Sequence, residues 1–237
     1  MPSEVERIVE WLRAEVSGAG KSAAVVGLSG GIDSATVAAL AKQAFGEKAF
    51  GVIMPCDSDP RDAEDARLVA ESIGLQYRTV DLTPVYAQLR ETLGLSDGAP
   101  RLASANLKPR LRMITLYAEA ALRGALVLGT GNRSELEIGY FTKYGDGGVD
   151  LLPIGGFLKR EVRELAREIS VPQRIIDRQP SAGLWEGQTD ETEMGMSYAE
   201  LDEYLATGEG SPVVAGLVDN LHRVSEHKRG LPPIFPR

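Results

Sequence analysis

AAVVGLSGGIDSATVAALAKQAF, residues 23–45, decides the fold. Residues Ala23 to Leu28 form a short, apolar, valine-bearing run of the kind that a strand buried on both faces of a parallel sheet requires. Gly30 and Gly31 break that run, and Ser34 to Phe45 then reads as a helix. Strand, glycine turn and helix in that order make the first β-turn-α unit.

Working outward, the unit repeats. Upstream, Ser3 and Glu6 form a capping box, and Val5, Ile8, Val9, Leu12 and Val16 follow at helical spacing, so an amphipathic helix should cover one sheet face. Downstream, Ala49 to Met54 reads as a strand, Asp59 and Pro60 open a helix running to about Ile73, and Gln76 to Asp81 gives a third strand. A helix from Thr83 to Leu93, a loop over Gly94 to Ala105, a helix from Leu111 to Leu122 and a strand from Ala125 to Thr130 follow. This alternation predicts an α/β fold, a doubly wound parallel sheet flanked by helices on both faces in the Rossmann-like manner, in one domain over residues 1–237. Ligands of such sheets lie outside the carboxyl ends of the strands, and the turns at Ser29 and Thr130 are two such ends. Tyr140 to Gly156 is glycine-rich, aspartate-bearing and aperiodic, which suggests a mobile functional loop. Helices are expected again over Lys159 to Ile169, from the Ser197/Glu200 capping box to about Leu205, and over Val213 to Ser225, before a proline-rich tail from Gly230.

The formal net charge of −8 argues against a nucleic-acid or membrane-surface binder, either of which favours a basic face. No apolar run reaches membrane-span length, and the acidic, amphipathic N-terminus is not signal-like, so the expected compartment is the cytoplasm. The single cysteine, Cys56, excludes an intramolecular disulfide and a multi-cysteine zinc site and fits a reducing compartment.

Within SGGIDS, Gly30 and Gly31 let backbone N–H groups approach a phosphate closely, Ser29 and Ser34 add hydroxyls, and the helix N-terminus adds a favourable dipole. Asp33 would be repelled by bare phosphates, so its place here makes sense if it holds a Mg²⁺ that bridges to them. Two other motifs compete. Gly18 to Ser22 ends like a Walker A loop, but Glu15 stands where its first glycine belongs and the segment precedes a strand. Gly27-Leu28-Ser29-Gly30-Gly31 satisfies the G-x-S-x-G elbow of a hydrolase, and His222 and His227 follow many carboxylates, so residue order alone permits a Ser-acid-His triad. Against that triad stand the early position of the turn, the lack of an HGGG-like segment and an unexplained Asp33.

The SGGIDS turn resembles the phosphate-binding turn of the N-type ATP pyrophosphatases (adenine nucleotide alpha hydrolase-like), which cleave ATP between its α and β phosphates. Within that group the chain resembles the ammonia-dependent NAD synthetases. The segments that carry the likeness are NLKPRLRM at 106–113, LVLGTGNRSE at 126–135, GYFTKYGDGGVDLLP at 139–153, PSAGLWEGQTDETEMGMSY at 180–198 and EHKR at 226–229.

The resemblance implies ATP contacts by Gly27, Leu28, Ser29, Gly30, Gly31, Ile32, Asp33, Ser34, Thr130, Lys159 and Ser181, where relatives often carry threonine in place of the serine. It pairs Asp33 with Glu135 as ligands of Mg²⁺, the one cofactor beside ATP as co-substrate. Arg110, Lys143, Asp150, His227 and Lys228 match positions that contact deamido-NAD, for whose pyrophosphate or carboxylate an arginine fork or a lysine point charge is chemically apt. Asp146, with Asp33 the other residue placed at the chemistry, is assigned to ammonia or ammonium. Each of these charges taken alone reads more readily as a solvated surface group than as a ligand, and Asn132-Arg133-Ser134 also reads as a glycosylation acceptor.

The implied reaction is the last step of NAD biosynthesis: the carboxylate of deamido-NAD attacks the α-phosphate of ATP, giving an acyl-adenylate and pyrophosphate, and ammonia displaces AMP. Some relatives carry a fused glutaminase; here Cys56 is the only thiol and neither histidine is near it in sequence, so free ammonia is the expected donor unless a separate subunit supplies it. The resemblance also implies a homodimer. A Ser29-dependent hydrolase, a non-catalytic ATP-binding regulator and a tRNA-thiolating enzyme are the alternatives, the last disfavoured by the acidic charge and the single cysteine.

Overall fold

A computed structural model describes residues 2–95, 98–185 and 187–236. Four strands, β1 (Ala23–Leu28), β2 (Ala49–Ile53), β3 (Gln76–Thr79) and β4 (Ala125–Leu128), form one fully parallel sheet in the order β3-β2-β1-β4. The chain runs outward from β1 to β3 and then returns to the opposite side of β1. The strand order therefore reverses between β1 and β4, which makes their carboxyl ends the switch point where ligands bind.

Alternation along β1 shows why the run had to be apolar throughout. Ala24, Val26 and Leu28 face one core with α1 (Glu4–Gly18), α2 (Ile32–Phe45) and Ala66 and Ala70 of α3 (Pro60–Ser72); Ala23 and Val25 face the other, with Tyr86 of α4 (Thr83–Thr92). The capping box between Ser3 and Glu6 starts α1 as the sequence indicates. α2 is buried nearly all round, which its Ala/Val-rich composition permits and a charged helix would not.

Several boundaries differ from the sequence reading. β2, β3 and β4 stop at Ile53, Thr79 and Leu128, short of Met54, Asp81 and Thr130, because the regular ladder ends there and the extended chain continues on single bonds such as Val80 N–H to Ile53 O, 2.8 Å. The 94–105 loop contains α5 (Arg101–Ala105), and α6 spans Leu107–Arg123, four residues earlier than expected. Pro109 does not prevent this, since a proline in a first helical turn gives up an N–H that has no intrahelical partner anyway. The 140–156 segment is not a free loop. Leu151 bridges to Leu128, and Ile154 is fully buried in the main core, an anchoring that no periodicity announced.

Beyond β4 come α7 (Arg133–Ile138), α8 (Lys159–Glu168), α9 (Gln173–Ile176), α10 (Asp190–Met194), α11 (Tyr198–Thr207) and α12 (Pro212–Ser225). α8 packs its Val162 and Leu165 into the sheet core, and α11 and α12 share a separate cluster around Leu201 and Val218. Replacing Leu40, fully buried on α2, by alanine is expected to destabilise the fold by about 2–5 kcal/mol. Urea unfolding of Leu40→Ala measures this, and a midpoint unchanged from wild type would contradict the central place of α2.

Candidate active site

The turn after β1 is built by its own side chains. Ser29 N–H donates to Ser34 Oγ (3.2 Å), Ser34 Oγ donates to Gly31 O (2.9 Å), and Gly31 N–H reaches Ser29 Oγ at 3.3 Å. Ser34 is buried and braces the turn, whereas Ser29 is exposed to the cleft. Gly30 sits at φ +80°, and a Cβ there would stand 2.5 Å from the Asp62 carbonyl oxygen and 2.9 Å from Asp65 Cβ. Only glycine fits. Gly31 then caps α2, whose N-terminal N–H groups and dipole face the cleft.

Charge concentrates beside this turn. Lys159 Nζ, from the first turn of α8, lies 2.5 Å from Asp33 Oδ2 and 3.4 Å from Glu135 Oε1. Asn132, fully buried, donates from Nδ2 to Asp33 Oδ1 (3.0 Å), and its Oδ1 accepts from Glu135 N–H (3.0 Å). The side chain therefore caps α7 while tying it to α2. Tyr198 O–H donates to Glu135 Oε1 (3.2 Å) and to Asp190 Oδ2 (3.0 Å), while Tyr140 O–H donates to the other oxygen of Asp190 at 3.1 Å. Burial pushes the Glu135 carboxyl up to about 7; the Lys159 charge opposes this, and Asp33 and Asp190 add to it. Burial works against the Lys159 charge too, but Asp33 and Glu135 outweigh it and hold the ammonium above the ordinary lysine range. Asp190 is raised by burial.

A second set of ties lays the 178–189 segment along the cleft. Arg178 pairs with Asp62 and, at 2.9 Å, with Asp65, and its Nη1 lies 3.5 Å from Gly30 O. Lys108, buried, donates to Asp57 O (2.7 Å) and to Leu184 O (3.0 Å). Ser181 Oγ donates to Gln188 O at 2.8 Å, within its own loop.

The resulting cleft, of about 1430 Å³, is lined by Gly27, Leu28, Ser29, Gly31, Ile32, Asp33, Ser34, Thr130, Glu135, Asp146, Lys159 and Ser181. Gly30 is buried and is not among the lining residues. Of the five residues expected at a pyridine nucleotide, Lys228 alone is among the lining residues; its Nζ donates to Gly139 O and Phe141 O. The other four are not among the cleft-lining residues. Arg110 Nη2 donates to Lys143 O (3.3 Å), Lys143 Nζ donates to His227 O, and Asp150 accepts from Tyr117 O–H (3.0 Å) and Val127 N–H (2.8 Å).

The hydrolase constellation is not assembled: neither histidine is among the cleft-lining residues, and His222 Nδ1 is engaged 2.7 Å from Glu137 O. Cys56 is fully buried, and burial raises its thiol above the ordinary range. Among the described residues no group of three or more His, Cys, Asp or Glu is set to hold a metal. The two carboxylates Asp33 and Glu135 approach a single cation from two sides, a donor set that suits Mg²⁺, which takes one or two carboxylates and completes its shell with phosphate and water. Sequence reading missed Asn132 as a site residue, although Asn-x-x-Glu is a capping signal, and missed Tyr198, Asp190, Arg178 and Lys108.

The NAD synthase family matches residues 4–232. The chain is 54% identical to the NH(3)-dependent NAD(+) synthetase of Carboxydothermus hydrogenoformans, over 98% of this chain and 96% of that protein. Among solved structures it superposes with a TM-score of 0.92 on the NMN synthetase of Francisella tularensis (38% identity, 98% of this chain and 97% of that one). It superposes at 0.81 on the NH3-dependent NAD synthetase of Campylobacter jejuni in complex with nitrate (29% identity, 98% and 97%).

Because Gly30 has room for no side chain, Gly30→Ala is expected to destabilise the protein by about 1–3 kcal/mol through strain and displacement of α3. A thermal melt of the variant that coincides with wild type would show that the turn tolerates a Cβ.

Proposed function

The chain belongs to the NAD synthase family, and we propose that its cleft carries out the ATP-dependent amidation of deamido-NAD with ammonia, giving NAD, AMP and pyrophosphate as the final step of NAD biosynthesis. It is a ligase forming a C–N bond. The observation that supports this site for the chemistry is the convergence of the Ser29 turn with Asp33, Glu135 and Lys159 at the switch point of the sheet.

A carboxylate is a poor electrophile, because its charge is delocalised and hydroxide leaves badly. Transfer of AMP to it supplies a leaving group: the carboxylate oxygen bonds to the α-phosphorus, the bond to the β-phosphate oxygen breaks, and pyrophosphate departs. Ammonia then adds to the carbonyl carbon, loses a proton, and AMP leaves with the former carboxylate oxygen. In our reading, the backbone N–H groups at Gly30 and Gly31 hold the departing pyrophosphate, and Lys159 offsets its charge. Asp33 and Glu135 would hold Mg²⁺, which when bound supplies Lewis-acid polarisation of the phosphates. Asp146, whose Oδ1 accepts from Thr142 N–H at 3.0 Å, is assigned to receiving ammonium. Thr130 and Ser181 complete the ATP side. The protein works by positioning and charge neutralisation, with no side-chain nucleophile.

Ammonia as the donor is supported by the burial of Cys56 and by the NH(3)-dependent relative. We read a homodimer, one domain per protomer. Ile114, 60% exposed, and Tyr117 lie on the outer face of α6 beside Arg110, Lys143 and Asp150, so apolar surface and substrate-matching charges share the face that a second copy would cover. We read the compartment as the cytoplasm, a reading supported by ATP as the proposed co-substrate and by the free cysteine. A second reading, amidation of the deamidated mononucleotide, is favoured by the close superposition on the Francisella NMN synthetase.

Purified protein is expected to form NAD, AMP and pyrophosphate in equal amounts only when ATP, Mg²⁺, deamido-NAD and ammonium are all present. Product formation without ATP would overturn the reading. Asp33→Asn should lower turnover by about 100-fold or more. A kcat/KM for deamido-NAD above that for the deamidated mononucleotide supports the first reading, and the reverse order selects the second.

A further inference from the structure

Most cations in the cleft are already matched. Lys108, Lys159, Arg61 and Arg178 each lie within ion-pair reach of a carboxylate. Arg112 does not. It is part-buried on α6, lines the cleft, and uses one of its five N–H donors, Nε to Met54 O at 3.2 Å. Its four terminal N–H donors have no hydrogen-bond partner among the described residues, and no described carboxylate lies within ion-pair distance. Asp62 and Asp146, whose charges act on it, have partners of their own, Asp62 in Arg178 and Asp146 in Thr142 N–H.

Its position is fixed by both ends. Met54 directly follows β2, so the guanidinium sits at the carboxyl edge of the sheet. Its helical neighbours Pro109 and Met113 back the turns that carry Asp146 so closely that a Cβ added at Gly145 would stand 3.0 Å from Pro109 and one added at Gly148 3.1 Å from Met113. Burial lowers the Arg112 guanidinium from its ordinary value, which an arginine tolerates while staying charged. A planar, desolvated fork with free donors facing a cleft is a carboxylate or phosphate receptor.

We infer that Arg112 binds an oxyanion of a substrate in this cleft, either the pyridine carboxylate of the deamidated nucleotide or a phosphate of ATP. The inference rests on the reaction assigned above. It would make Arg112 a recognition residue for the very group that is activated, or for the group that activates it.

Calorimetric titration of wild type, Arg112→Gln and Arg112→Lys with two matched pairs tests it: deamido-NAD against NAD, and ATP against adenosine. The loss of a charge-assisted contact in Arg112→Gln is expected to weaken one member about 10- to 100-fold and spare its counterpart that lacks the bound oxyanion, with partial recovery in Arg112→Lys. Selective loss for deamido-NAD identifies the carboxylate; selective loss for ATP identifies a phosphate. Equal losses within each pair would mean a structural role, and unchanged affinities would mean none; either overturns the inference. Thermal melts of both variants check that they fold. Wild type that forms no NAD would sink the assigned reaction, whereas active wild type with an Arg112→Gln variant of unchanged affinities would sink the Arg112 inference alone.

Discussion

One ammonium group lets two carboxylates meet at the switch point of this sheet. Asp33 comes from α2, Glu135 from α7 and Lys159 from α8, three helices separated by up to 126 residues in the chain. Without the lysine, two partly buried acids would face each other in a poorly solvated pocket, and one would take up a proton. Glu135 is already pushed to about 7 with the lysine in place. The surrounding structure is arranged to hold this triad. Asn132 ties α7 to Asp33, and Asp202 caps α8 through Arg160 N–H (2.8 Å) while accepting from Ser134, whose Oγ in turn accepts from Lys159 N–H (3.0 Å). Each of these ties is a buried or part-buried polar contact whose loss would leave a partner unsatisfied, so the three helices are fixed relative to one another as well as to the sheet.

Mutual neutralisation here also explains what the site can do when a polyphosphate arrives. The carboxylates would suit a divalent cation, and the ammonium would suit phosphate charge. In the reading proposed above, the same three groups that neutralise one another in the fold would also meet the charges of Mg²⁺ and the phosphates. Around them residues 178–185 are held across the cleft by Arg178, paired with Asp62, and by Lys108, which donates to Leu184 O. Arg110, Lys143 and Asp150 lie outside the cleft lining, whereas Gly145, Asp146, Gly148 and Val149 of the same turns belong to it.

The sheet was legible because its strands are buried on both sides and so cannot hide their apolar runs. The cleft was legible where backbone need dictates residue type, as at Gly30, whose positive φ and contact with Asp62 permit nothing larger. The resemblance supplied Lys159 and Glu135, which carry no local signal: a helix lysine and a helix-start glutamate are ordinary, and only tertiary packing brings them to Asp33. Side chains acting through long-range hydrogen bonds were missed for the same reason. Tyr198 reads as a core aromatic and Asp190 as a first-turn acid, and nothing in their spacing says that they meet. The anchoring of the 140–156 segment escaped because Leu151 and Ile154 are bound by a strand edge and a core that lie far away in sequence.

The central claim is that the cleft activates a carboxylate by transferring AMP to it. Turnover of deamido-NAD labelled with ¹⁸O in its carboxylate, followed by mass spectrometry of the nucleotide products, tests this most directly. The account predicts that one labelled oxygen from each substrate molecule appears in the phosphate of AMP. Label recovered in pyrophosphate or inorganic phosphate, or AMP free of label, would contradict it.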